Sequence, residues 1–178
     1  MANTQQLAGD IARRARREAD AYRGDHTRPL GGYVAVMSTY ISIVALAGIG
    51  TVATGRTLPD GWRPQDLFTV AVGAHKLSRT ITKDAVTSPL RAPFAHYEGT
   101  AGPAEVHEET RDSSQLRHSL GELLTCPFCL DVWIATGFVI GLIFAPRLTR
   151  LIAGSFTALA GADFLQLAYA KAQQSAEG

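Results

Sequence analysis

The sequence predicts an all-α fold: an integral membrane bundle of four transmembrane helices, with a cytoplasmic loop and a short interfacial helix. Three observations lead there. Charge and hydrophobicity are segregated, with six arginines in the first 28 residues and no charged residue from Gly31 to Gly55. The run Cys126–Ala145, CPFCLDVWIATGFVIGLIFA, has Asp131 as its one charge. As a helix it would measure about 30 Å, the thickness of a hydrocarbon core. Finally, lysine and arginine fall unequally on the two sides that four spans would define. The chain of 178 residues has 17 basic and 16 acidic side chains, so its net charge gives no reason to expect a nucleic-acid partner.

Residues 1–30 read as a basic cytoplasmic tail. Gln5–Tyr22 places Leu7, Ile11, Ala15 and Ala19 on one stripe and Arg13, Arg14, Arg16 and Arg17 on the other face. Such a segment is either a solvated tail or a basic amphipathic helix on anionic headgroups. The first apolar run follows a long polar stretch and is too long for the core of a signal peptide.

Residues 31–170 read as the membrane domain. The clearest span is 32–54, with small residues at Ser38, Ser42, Ala45, Gly48 and Gly50. Pro59, Asp60, Gly61 and Pro64 then make a turn, and Trp62 suits an interface. The second span, 66–82, is the weakest, because His75, Lys76 and Arg79 cluster in its second half. Long basic side chains near a helix end can reach the headgroups, which keeps it a span.

The cytoplasmic loop covers 83–125. Pro89 and Pro93 favour an extended path through Ser88, Pro89, Leu90, Arg91, Pro93 and Phe94, a segment suited to docking a partner. An acidic polar loop follows, with Glu105, Glu108, Glu109 and Asp112. Ser114 caps a short helix bearing Leu116, Leu120, Leu123 and Leu124. The last spans are 126–145 and 148–169, the latter with a seam of Gly154, Ala158 and Ala162 and the former with Gly137 and Gly141. Residues 171–178 form a polar tail. With both termini cytoplasmic, the inner segments carry eleven basic residues and the outer turns four, in accord with positive-inside orientation.

At 1.5 Å per residue, Arg79, Asp131 and Asp163 each lie about 21–22 Å below the outer ends of their helices. His75 and Lys76 are one turn deeper. This intramembrane layer either neutralises itself, with Asp163 and Asp131 pairing with Arg79 and Lys76 and Asp163 most simply the partner of Arg79, or forms a proton- or substrate-linked site with His75 as its titrating member. Cys126 and Cys129 admit a redox pair, a zinc site completed by His96, His107 or His118, or packing as free thiols. Free thiols are expected, because the pair faces the reducing side. No cofactor is required, and zinc is the metal the cysteines would admit.

The blocks AHKLSRTITKDAVTSPLRAPFAHYE (74–98), GELLTCPFCLDVW (121–133) and ADFLQLAY (162–169) together resemble an uncharacterised family of small bacterial membrane proteins, domain of unknown function 1360. Some members are associated with sporulation. The resemblance implies a multi-pass protein of the bacterial cytoplasmic membrane and supplies no activity, cofactor or catalytic residue. Three functions follow as expectations. The first is a non-enzymatic structural or partner-docking membrane component, whose partners are the bilayer and another protein or further copies of itself. The second is a membrane thiol redox or metal-binding protein using Cys126 and Cys129. The third is a small proton-coupled carrier acting as an oligomer.

Overall fold

A computed structural model describes residues 2–26, 28–111 and 114–177; Asp112 of the expected acidic loop lies outside them. The elements in order are α1 (Ala2–Arg23), α2 (Leu30–Ala53), α3 (Pro64–Thr82), a 3₁₀ turn (Ala85–Thr87), α4 (Ser88–Arg91), β1 (Ala95–Gly102), β2 (Glu105–Thr110), α5 (Gln115–Thr125), α6 (Pro127–Phe144) and α7 (Pro146–Glu177). The protein is therefore mostly helical with a two-stranded antiparallel sheet, not all-α. Among the described residues, α2, α6 and α7 are long and apolar enough to cross a membrane. The helix α3 is not one of them, since Asp66, Lys76 and Arg79 fall within its 19 residues.

The helix α3 nonetheless forms the middle of the bundle. Val70 and Ala74 pack with Phe138 of α6 and Ala153 of α7, flanked by Leu77, Ile134, Ala135 and Leu142. A Cβ on Gly73 would stand 2.6 Å from the Ala153 carbonyl oxygen, so glycine is what lets α3 and α7 touch. Asp66 meets Arg150 near the start of both helices, at 2.7 Å, and Lys76 meets Asp163 further along both, also at 2.7 Å. These two helices therefore run in the same direction. Likewise α2 runs with α6. Tyr40 hydrogen-bonds Thr136 at 2.8 Å and sits edge-on to Trp133, while Arg56 donates to the Ile143 carbonyl at 2.8 Å. Arg56 thereby satisfies a carbonyl at the end of α6, where helices leave acceptors without partners.

The expected seam on the last helix is not the face that is buried. Thr149, Ala153 and Ala160 are buried, whereas Ala158 and Ala162 are exposed. Nothing lies against Gly154 or Gly137, and Gly141 alone of the expected GxxxG meets a neighbour, Thr149. One residue is about 100° around a helix, enough to turn a small-residue stripe away from its partner.

The segment beyond α3 departs most from expectation. Residues 88–94 are not extended, because Pro89 lies in the first turn of α4, where a missing N–H costs nothing. In place of an acidic loop, residues 95–110 form a β-hairpin. Gly102 pairs with Glu105 across Pro103 and Ala104, and Ala104 takes φ 60°. A proline followed by a left-handed residue closes a tight turn, although glycine is the usual occupant of the second position. The hairpin is sewn to the end of α3: Val106 N–H donates to the Lys83 carbonyl at 2.9 Å and Ala85 N–H to the Ala104 carbonyl at 3.0 Å. Its other side meets α5, where a Cβ on Gly121 would lie 2.9 Å from both the Phe94 carbonyl oxygen and Thr110.

Arg91 fixes this cap. Its side chain is fully buried and pairs with Glu108, itself nearly buried. The guanidinium bonds both Glu108 carboxylate oxygens, at Oε1 over 3.2 Å. It also donates to the Ile81 carbonyl (2.5 Å), Thr87 Oγ1 (2.7 Å), the Asp84 carbonyl (3.0 Å) and Ser88 Oγ (3.1 Å). One planar fork thus joins the end of α3, the turn after it, α4 and β2. Removing one partner of a buried pair costs about 3–5 kcal/mol. Glu108→Gln and Arg91→Lys are each expected to lose about that much, with hydrogen exchange at Val106–Thr110 rising in step. Arg91→Met with Glu108→Leu should recover part of the loss. Unchanged exchange in Arg91→Lys would refute the assignment.

Candidate functional site

The chemically distinctive residues gather at the end of the bundle where α3 stops, α6 begins and the hairpin sits. The sequence placed a polar layer there, and the structure divides it into separate pairs. Lys76, with a side chain mostly sheltered, reaches Asp163 at 2.7 Å. Arg79 turns instead to the hairpin, where Nη2 meets Glu105 Oε1 at 2.6 Å and Nε meets the same oxygen at 3.1 Å. Sequence depth alone matched Arg79 with Asp163, because a carboxylate 26 positions away in a hairpin is invisible to that count. His75 is exposed on α3 and belongs to neither ion pair. Asp131, on the second turn of α6, keeps Oδ1 buried with no hydrogen-bond partner among the described residues.

Cys126 and Cys129, expected as free thiols, are joined by a disulfide, with Cα atoms 5.3 Å apart. The spacing places both at one helix start. Cys126 is the N-cap of α6 and its sulfur accepts the Cys129 N–H at 3.2 Å, with Pro127 opening the helix. Cys129 is exposed and Cys126 half-buried. Sulfurs bonded to each other are not available as zinc thiolates, and His118 is turned to Glu122 at 3.7 Å. The zinc site imagined from the cysteines and loop histidines is therefore not assembled in this structure.

The proposed docking loop is split by burial. Pro89, Leu90 and Pro93 are exposed, Ser88 and Phe94 half-buried, and Arg91 wholly interior. Leu90 is 59% exposed and Val86, four residues before it, 86%; Phe128, in the first turn of α6, is also 86% exposed. Missed from the sequence was a second cluster on the outer face of the hairpin. His96, Glu98 and Glu109 bring one ligand atom each within 4.8 Å of one another. The signal lay in the cross-strand register, which cannot be read until the hairpin is known.

Apolar helices around a short polar helix, with a hairpin locked over one end, define the class: a helical protein with several candidate membrane spans and a folded polar cap. The chain belongs to the family of proteins of unknown function DUF1360, whose model matches residues 68–169. The match takes in α3, the cap, α5, α6 and most of α7, and leaves out α1 and α2. No curated protein and no solved structure shows significant similarity.

The pairing pattern makes a direct expectation. Charges in contact couple, and distant ones add. Lys76→Met and Asp163→Leu should be less costly together than their separate losses imply, while Arg79→Met and Asp163→Leu should be additive in detergent melting. Coupling of Asp163 to Arg79 instead would overturn the observed pairing.

Proposed function

We propose that the chain is a multi-pass membrane protein in which α2, α3, α6 and α7 all cross a bilayer, and that its cap docks a protein partner on the cytoplasmic side. The arrangement of α3 between α6 and α7 supports four crossings. Its basic residues are met by Asp163 and Glu105, and a helix surrounded by others need not be apolar on every face. The basic residues of the loop and of α1 support a cytoplasmic cap.

The observation that carries the docking reading is the rim of the cap. Val86 and Leu90, four residues apart in the short segment between α3 and β1, are both mostly exposed beside a hairpin held by Arg91. Large apolar side chains exposed on a rigid polar module are the usual content of an interface centre. The reading includes assembly with further copies of the chain. A photoreactive benzoylphenylalanine at Leu90 should cross-link to a cytoplasmic protein or to a second copy, whereas the same probe at Leu46 of α2 should label lipid. Adducts of Leu90 with lipid alone, or with a protein from the opposite side of the membrane, would reject the proposal.

The disulfide favours a second reading, in which the cap is a thiol–disulfide partner of a cytoplasmic or membrane dithiol. A CxxC disulfide at a helix start with one exposed sulfur is placed for attack by an external thiolate. No further cysteine is present in the sequence, so electrons accepted by the pair would have to leave through another molecule. Cys126→Ser, which leaves Cys129 as a lone thiol, should trap a mixed disulfide in growing cells. Absence of any such adduct, with wild-type cysteines wholly alkylated in intact cells, would exclude redox cycling.

A further inference from the structure

The hairpin presents a set of side chains on its outer face that the docking and redox readings do not use. His96 stands opposite Glu109 in the antiparallel register. Between Tyr97 and Gly99 the register shifts, which inserts Glu98 as an extra residue and brings its side chain beside His96. The result is the observed cluster, with His96 Nε2 2.8 Å from Glu98 Oε1 and all three donor atoms within 4.8 Å. We infer that His96, Glu98 and Glu109 bind a divalent transition-metal ion, with zinc the representative case, on the outer face of the cap.

The donor set is mixed, one imidazole nitrogen and two carboxylates. A nitrogen donor favours zinc and its neighbours in the transition series over magnesium and calcium, which take oxygen. Charge points the same way. Glu98 and Glu109 converge on one spot, and among the described residues neither is ion-paired with a lysine or arginine. His96 stands between the two carboxylates, opposite Glu109 and bonded to Glu98, and a divalent ion would be held by all three. The ligands are also held from behind. Glu108, between His107 and Glu109 in β2, points inward to Arg91, so the strand bearing Glu109 is anchored on its other face. All three ligands are exposed, which leaves coordination positions for water or for a donor from a docked partner. The site therefore resembles an open metal centre and not a closed structural one.

The test uses full-length, tag-free protein in detergent micelles carrying Cys126→Ser and Cys129→Ser, so that no thiolate competes for metal. Zinc titrated calorimetrically should bind at one ion per chain. His96→Gln and Glu109→Gln, made separately, should each weaken that binding roughly tenfold or more, equivalent to about 1.4 kcal/mol, and excess magnesium should not compete. Both substitutions lie on an exposed face, so the melting temperature of the zinc-free protein should be little changed, which separates ligand loss from unfolding. Zinc should also raise the melting temperature of the parent and not of His96→Gln. Equal zinc binding by parent and variants, displacement by magnesium, or no saturable binding would each overturn the site.

Discussion

The buried Arg91–Glu108 pair is the constraint on which the polar half of the molecule depends. A fully buried guanidinium is costly to dehydrate, and it is tolerated here because each of its nitrogens finds an acceptor. Two of those acceptors are carbonyls at and just past the end of α3, which the guanidinium shares with Thr87. The same group therefore terminates α3, closes α4 and anchors β2. A lysine offers one nitrogen and no plane, and could not satisfy these groups together. Through this fork the hairpin, which as an isolated two-stranded unit would be marginal, becomes a rigid extension of the helices.

This arrangement also explains why α3 can be central without being uniformly apolar. Its polar residues leave the bundle core in two directions, Lys76 toward Asp163 on α7 and Arg79 toward Glu105 on the hairpin. The core side keeps only Val70, Gly73, Ala74, Ser78 and Thr82 buried, small or compact residues. Ser78 and Thr82 turn their hydroxyls back onto carbonyls of the same helix, at 2.8 and 2.7 Å. Close approach of α7 at Gly73 is the benefit of that small surface. The helix is polar where it meets the cap and narrow where it meets its neighbours.

Much of the helical plan was legible in the sequence because long apolar runs and their breaking residues report directly on burial. The helices α2, α5 and α6 lie close to where those runs place them, and the cap of α5 falls at Ser114 as expected. The hairpin was not legible, for a specific reason. Strand periodicity is recognised by apolar residues on the inner face, and here one inner position is Glu108, whose burial depends on an arginine in another element. Register shifts after Tyr97 and Thr100 break the alternation further. Residues 88–91 misled in the opposite sense, since a proline read as a helix breaker opens a helical turn. The candidate sites failed along the same line. Depth matched Asp163 with Arg79, whereas Asp163 meets Lys76 one turn away, and Arg79–Glu105 and the His96 cluster require the hairpin's register. Spacing placed the two cysteines together, and the expectation of free thiols, drawn from topology, is overturned by the disulfide.

The cap thus has two chemically opposite faces set by the alternation of one short strand. Glu108 and Val106 turn inward, where charge must be neutralised and apolar surface covered; His107 and Glu109 turn outward, where neither is required. Inward carboxylate and outward carboxylate differ by one position in sequence and in everything else by environment. Packing accounts fully for the inner one, because Arg91 needs it. It does not account in the same way for the outer group, since His96, Glu98 and Glu109 are all exposed. Surface carboxylates scattered singly call for no explanation, but here two converge on one imidazole across a strand pair, and His96 bonds Glu98 while no described lysine or arginine pairs with either. That convergence of donors is the physical ground for looking outside the chain, to a cation or to a partner carrying one, for what completes the cap.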